Sequence, residues 1–312
     1  MRPQMMVRRV ILTLIVALSC ESSAAAAGFA LDEIAPGVFA HQGQISLMDA
    51  ENKGDIANIG AIVGDDAIAV IDTGGSLIEA KSFIDALQQK TPKPIRYVIN
   101  THAHPDHIFG NGAFVGPNVI FVGHKNLPRA LAARGAFYLE SFRAAMGEAL
   151  DGVIIVGPTI TVDKTTTLDL GGRKINLQAW NVAHSDCDLT VLDAQTGTLF
   201  AGDLLFVQHV PIVDGSLLGF LDVAEDLAKI PAVRVVPGHG PLIASWPKAL
   251  DDERAYLTRL TADLRAAIKK GDIVAETASL AGQSQRGNWR LFDKYNGRNA
   301  TTGFAELEWE AP

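Results

Sequence analysis

The sequence predicts an α/β protein in which two sheets lie back to back between outer helices, a four-layered αββα sandwich. Three observations lead there: short β-branched apolar runs alternate with helix-period segments, the two halves of the chain repeat that theme, and histidine-bearing polar loops directly follow the strands. At 312 residues, 48% of them hydrophobic, the chain can bury one large core or two modest ones without disulfide staples. Its 27 basic and 35 acidic residues give a net charge of −8, and no basic run exceeds pairs such as Lys269-Lys270. A phosphate-neutralising footprint is therefore missing, which argues against nucleic acid as a partner.

Residues 1–27 read as a signal peptide. Arg2, Arg8 and Arg9 form a positive leader, residues 10–20 are almost unbroken apolar sequence, and residues 24–27 are four alanines suited to cleavage. Eleven residues rising about 1.5 Å each fall short of a bilayer core of about 30 Å, so removal near Ala27 is expected rather than stable membrane insertion. The pair Arg8-Arg9 also allows twin-arginine export. The expected protein is periplasmic or secreted, with 24 basic and 34 acidic residues, a net charge of −10, and Cys187 as its one remaining thiol. Residues 28–312 are expected to form a single domain with a helical, aromatic extension from about residue 246.

The elements follow in order. Residues 58–63 and 67–71 read as a hairpin around Gly64-Asp65-Asp66. Ser76 and Glu79 then form a capping box, and Leu77, Ala80, Phe83, Ile84 and Leu87 make one apolar stripe at helical spacing, ended by Pro92 and Pro94. A strand over 95–100 delivers the loop Thr101-His102-Ala103-His104-Pro105-Asp106-His107; a strand over 119–122 and a helix over 127–150 come next. In the second half, residues 160–180 give two strands around Gly171-Gly172. A loop with His184, strands over 189–192 and 198–201, a helix over 217–229, a strand over 233–236 and a helix over 247–270 complete the set. The loops 109–114 and 207–219 are the expected substrate contacts.

Of the 8 histidines, His102, His104, His107, His184 and His239 all follow apolar strands, and Asp106 and Asp203 share that placement. Residues two apart in extended backbone point the same way, so His102 and His104 can converge on one ion while Asp106 and His107, past the turn at Pro105, face a second. Neutral imidazole and carboxylate are the donors zinc takes at catalytic centres, where a position stays open for water. Asp203 can bridge the two ions, and Asp72 is placed to support the loop by hydrogen bonding. His41, His124 and His209 lack such company and default to structural roles, with His209 the one near enough to Asp203 to line the pocket. Cys187 reads as a small buried apolar residue.

The HAHPDH loop, His184, Ala201-Gly202-Asp203 and Gly238-His239-Gly240 together resemble the ordered signature of the metallo-β-lactamase superfamily over roughly residues 30–245. The resemblance implies two Zn2+, with iron or a mixed pair as alternatives. One ion would be held by His102, His104 and His184 and the other by Asp106, His107 and His239, with Asp203 and a hydroxide bridging and Asp106 also orienting the nucleophile or handling a proton. Asp at position 203 is similar to the glyoxalase II-like hydrolases, whereas the secreted β-lactamases carry Cys or Ser there. More narrowly, residues 183–191, residues 202–216 and the tail Glu306-Leu307-Glu308-Trp309-Glu310 resemble the exported quinoprotein relay system zinc metallohydrolases, although Ser185 and Cys187 stand where Thr and Asn are expected. The implied function is an exported dinuclear zinc hydrolase of a small ester, thioester or lactone, with a quinoprotein as possible partner. Two alternatives stand beside it. One is a mononuclear iron oxygenase on the same fold, against which both complete half-sites count. The other is a non-catalytic accessory protein of a quinoprotein redox system, docking through the aromatic residues Trp289, Phe292, Tyr295, Phe304 and Trp309.

Overall fold

The computed structural model describes residues 29–310, so the expected signal peptide lies outside the described residues. Among these, no helix is long and apolar enough to cross a membrane.

The first sheet begins with β1 (Asp32–Ala35) and β2 (Val38–His41), a short hairpin that the sequence reading missed. β3 (Ile59–Val63) and β4 (Ile68–Ile71) form the expected hairpin, closed where Gly64 donates to the Ala67 carbonyl. Helix α1 (Leu77–Lys90) starts at the capping box: the Ser76 hydroxyl accepts from the Glu79 amide, and the Glu79 carboxylate accepts from the Gly75 amide at 2.8 Å. Its Ala80, Phe83 and Leu87 pack on the outer face of the sheet with Ile59, Val70 and Val98. β5 (Ile95–Ile99), the single turn α2 (Pro105–Ile108), β6 (Ile120–His124) and α3 (Leu127–Met146) follow. The expected helix over 127–150 divides at Gly147, whose φ of +52° ends the α-helix, and a 3-10 turn carries the chain to Leu150.

Residues 160–180 hold three strands rather than two: β7 (Ile160–Val162), β8 (Thr165–Asp169) and β9 (Lys174–Ala179). β7 pairs with β6 and closes the first sheet, so the chain passes from one sheet to the other between Val162 and Thr165. The second sheet continues through β10 (Leu189–Asp193), β11 (Thr198–Phe206) and, after helix α4 (Leu217–Leu227), β12 (Arg234–His239). Helices α5 (Leu250–Lys270), α6 (Val274–Leu280) and α7 (Phe292–Leu307) finish the described chain.

The strands run β1 to β7 in order across a seven-stranded sheet, and β12-β11-β10-β9-β8 across a five-stranded one. Side chains from both sheets, among them Ile62, Ile71, Val122, Leu177, Val191 and Phe200, share one buried layer between them. On the far side of the second sheet, α4, α5 and α7 contribute Phe220, Tyr256, Leu260 and Phe304 to another. That is the four-layered αββα sandwich, its two faces each covered by helices.

A buried guanidinium joins the two sheets. Arg173, in the β8–β9 turn, clasps both carboxylate oxygens of Asp193 at 2.9 and 2.7 Å and donates to the carbonyls of Pro36 and Val63 in the other sheet. Four bonds to fixed acceptors are what make a buried arginine tolerable.

Candidate metal centre

The strand ends of the two sheets meet at one rim, and the seven expected side chains gather there. His102 and His104 lie in the segment after β5, and Pro105 starts α2, which turns Asp106 and His107 inward. His184 comes from the β9–β10 loop and is wholly buried. His239 is the last residue of β12, which runs three residues past the expected strand end at Val236.

Asp203 does not stand at a strand end, as expected, but within β11. The pairing of β11 with β12 shifts register on either side of Gly202, whose φ is +54°, and this bulge turns the Asp203 carboxylate toward the histidines. Gly238 on the neighbouring strand must lack a side chain, since a Cβ there would lie 2.0 Å from Asp203 Oδ1.

The geometry falls into two groups of donors that share Asp203. Donor atoms of His102, His104, His184 and Asp203 all lie within 4.8 Å of one another, as do those of Asp106, His107 and His239. Asp203 Oδ2 is 3.4 Å from His184 Nε2 and 3.7 Å from His102 Nε2, and its Oδ1 is 3.2 Å from His107 Nε2 and 3.4 Å from His239 Nε2. The carboxylate thus reaches both groups.

The outer nitrogen of each ring is anchored, which fixes where the lone pairs point. His184 Nδ1 donates to the Ile212 carbonyl at 2.8 Å and His239 Nδ1 to the Ile56 carbonyl at 2.9 Å. His107 Nδ1 donates to Asp72 Oδ2 at 2.8 Å. The Thr101 hydroxyl gives its hydrogen to Asp72, so it accepts from His102 Nδ1. His104 is turned the other way, its Nε2 donating to Asp214 Oδ2 at 2.9 Å and its Nδ1 facing the cluster. As a result His184 Nε2 and His104 Nδ1 confront each other at 2.9 Å with no hydrogen between them. His102 Nε2, His107 Nε2 and Asp203 Oδ1 are buried with no hydrogen-bond partner. Lone pairs converging in a buried space are repulsive unless a cation sits among them, so the donor set fits metal ions.

The ionisation equilibria point the same way. Burial pushes His104 down to about 4 and His184 to about 3, leaving both as neutral donors. Burial lowers His239 and His107 too, but the carboxylates of Asp203 and Asp106 outweigh it, raising His239 to about 9 and His107 well above the ordinary imidazole value. Burial would raise the Asp106 carboxyl, yet the charges of His107 and His239 hold it at about 2. The carboxylates demand positive charge at this point of the fold, whether from protons or from metal.

Asp72 ties the loop together. Its backbone has φ of +55°, and its carboxylate accepts from the Thr101 amide, the Thr101 hydroxyl and His107 Nδ1. Asp72→Ala is expected to weaken metal affinity about 10- to 100-fold while the protein stays folded, measured by competition with a chromogenic chelator. Unchanged affinity would confine Asp72 to holding the backbone.

Cys187 is buried against Phe109, Leu127 and Leu131, and burial pushes its thiol up to about 12, far from a thiolate ligand. Cys187→Ser is expected to keep its metal and at least about a tenth of the turnover. Loss of both would make the thiol part of the centre.

The centre opens into a cavity of about 390 Å³. His104, Asp106, Asp203 and His239 form its floor, and Leu47, Met48, Tyr138, Phe142 and Ile212 its apolar wall. Of the two expected substrate loops, 207–219 lines it through His209, Ile212 and Asp214, but 109–114 does not: Phe109 and Phe114 are core residues and Asn111 hydrogen-bonds Asn100 and Thr73. His209 lies between His239 and Tyr295, its ring tilted against each at separations of 5.0 and 5.4 Å, and it belongs to the cavity wall. Sequence reasoning missed Tyr138 on α3 and Arg298 on α7 and assigned Tyr295 on α7 to a docking surface, whereas all three face the cavity. Tyr295 and Arg298 are one helical turn apart, a spacing that could have signalled a shared face. The C-terminal aromatic residues Trp289, Phe292 and Phe304 are buried in the core, and Trp309 remains exposed, at 84%.

Comparison with known proteins agrees with this geometry. The sequence pattern of the metallo-beta-lactamase superfamily matches residues 52–239, which include all seven side chains. The linear primary-alkylsulfatase of Pseudomonas sp. (strain ATCC 19151) is 23% identical over 217 residues, covering 61% of this chain and 38% of its own length, so the chain spans about two-fifths of that relative. Among solved structures, the sec-alkylsulfatase Pisa1 from Pseudomonas sp. superposes with a TM-score of 0.70 at 17% identity, over 90% of this chain and 50% of that one. A metallo-beta-lactamase from Pontibacter korlensis gives a TM-score of 0.60 at 18% identity, over 73% of this chain and 98% of that one.

Proposed function

The chain belongs to the metallo-beta-lactamase superfamily of metal-dependent hydrolases, and on that premise we propose that it is an exported dinuclear zinc hydrolase of small esters, thioesters or lactones. The observation that carries this is the convergence of five imidazole lone pairs and two carboxylates on one buried space, divided into two groups that share Asp203. Zinc ions held there supply Lewis acidity and a water whose pKa falls toward about 7.

The protein's own residues do the rest. His102, His104 and His184 would hold one ion, and His107, His239 and Asp106 the other. Asp203, whose two oxygens face both groups, would serve both. Asp106, an anion on the cavity floor, orients the attacking water and accepts its hydrogen bond. Met48, Phe142 and Ile212 exclude bulk water around the scissile group, which strengthens each polar contact on the floor. A sulfate ester is the second reading: two of the similar proteins are alkylsulfatases, and the apolar wall suits an alkyl chain.

Localisation outside the cytoplasm rests on residues 1–27, and association with a quinoprotein rests on the resemblance of residues 183–191, 202–216 and the C-terminal tail. Zinc-loaded protein should be screened against thioesters, lactones, alkyl sulfates and a β-lactam. Turnover of a thioester or lactone above the others supports the proposal, sulfate release alone selects the second reading, and dioxygen uptake by iron-loaded protein overturns both.

A further inference from the structure

Helix α7 lies beyond the family-matched residues 52–239, yet it furnishes polar groups to the cavity. Among the described residues lining that cavity, Arg298 is the one Lys or Arg. Its Nη2 donates to Asp214 Oδ1, while Nη1 and Nε make no hydrogen bond with described residues. Asp214 is already served on its other oxygen by His104 Nε2, and Arg134 approaches that oxygen at 3.6 Å. One carboxylate therefore faces two guanidinium groups, leaving a positive surplus beside the metal centre of an acidic chain. One turn earlier on α7, burial raises the Tyr295 phenol above its ordinary value, so it stays protonated as a hydrogen-bond donor.

We propose that Arg298, steadied by Asp214 and assisted by Tyr295, is an anion subsite, and that the preferred substrate carries a carboxylate or sulfate a short carbon chain away from the bond that is cleaved. This rests on the hydrolase reading above. With Nη2 turned to Asp214, Nε and Nη1 lie on different edges of the guanidinium, and each is free to donate one charge-assisted hydrogen bond to an anion's oxygen. The apolar wall takes the carbon chain and the metal centre takes the scissile group, so the anion falls to α7. The hydrogen-bond chain from Arg298 through Asp214 to His104 links the subsite to the centre.

Two measurements separate this inference from the hydrolase reading. The first is equilibrium binding by calorimetry of glutarate and pentanoate to the zinc-loaded protein. Both offer one carboxylate to the metals, and glutarate offers a second to Arg298. Glutarate is expected to bind about 10- to 100-fold tighter, the range for hydrogen bonds to a charged group, and Arg298→Gln is expected to erase that advantage. Arg265→Gln, a surface arginine paired with Glu310, should leave it in place. Equal binding of the two acids, or an advantage that persists in Arg298→Gln with its zinc retained, overturns the subsite. The second is hydrolysis of the glutaryl and pentanoyl thioesters of N-acetylcysteamine. A glutaryl preference expressed in KM and lost in Arg298→Gln supports the proposal, and one that survives the substitution overturns it. Turnover of neither thioester, with glutarate binding as expected, counts against thioester hydrolysis and leaves the subsite standing.

Discussion

Asp203→Ala is expected to lower turnover by about 1,000-fold or more, equivalent to about 4 kcal/mol of transition-state stabilisation, and to reduce bound zinc below two per chain. Asp203 is the one carboxylate whose two oxygens face both histidine groups, with Oδ2 toward His184 and His102 and Oδ1 toward His107 and His239. Its removal leaves four buried nitrogen atoms without their shared anion. Asp203→Asn is the sharper variant, because it keeps the shape within the bulge and beside Gly238 while removing the charge. Metal content by elemental analysis and turnover should fall together in both variants. If Asp203→Asn retained two zinc ions and full activity, the shared carboxylate would have no part in the centre.

Arg173→Met is expected to destabilise the protein by about 3–5 kcal/mol, the cost of leaving a buried carboxylate without its partner. Asp193 is fully buried, and Arg173 is its bidentate partner as well as the donor to Pro36 and Val63 across the sheet interface. Urea denaturation of the zinc-loaded protein measures this as a lower midpoint at an unchanged slope. The folded fraction should keep its metal, since Arg173 sits in the β8–β9 turn and contacts none of the seven centre residues. The double variant Arg173→Met with Asp193→Leu should recover much of the loss, because no charge is then left buried alone. A single variant with an unshifted midpoint would mean that the Thr196 amide and hydroxyl, which also donate to Asp193 Oδ2, hold the carboxylate without the guanidinium.

These two residues differ in how far they could be read from the sequence. Asp203 announced itself by company: an acidic residue after an apolar run, in a chain where five of 8 histidines share that placement. Its strand was read too short because Gly202 interrupts the apolar pattern, and only the pairing of Phe206 with His239 shows that β11 continues. Arg173 gave no signal. A lone arginine after Gly171-Gly172 looks like a solvated turn, and two of its partners lie 137 and 110 residues away in sequence. The same limit applies to α7, whose Arg298 meets Asp214 across 84 residues. Local rules, such as the capping box at Ser76 and the period-two spacing of His102 and His104, fix elements and ligand candidates. The cavity wall is made by long-range contacts, for which the sequence has no comparable local code. β1 and β2 were missed for a related reason: only four residues each, they are strands because they pair with each other and β2 pairs with β3.

The central claim, that this cluster is a two-ion hydrolytic centre, is tested most directly by metal stoichiometry of the purified protein measured together with its turnover. Elemental analysis after equilibration with zinc should find two ions per chain, and ester, thioester or lactone hydrolysis should rise with occupancy of the second. A single bound iron accompanied by dioxygen uptake would contradict it.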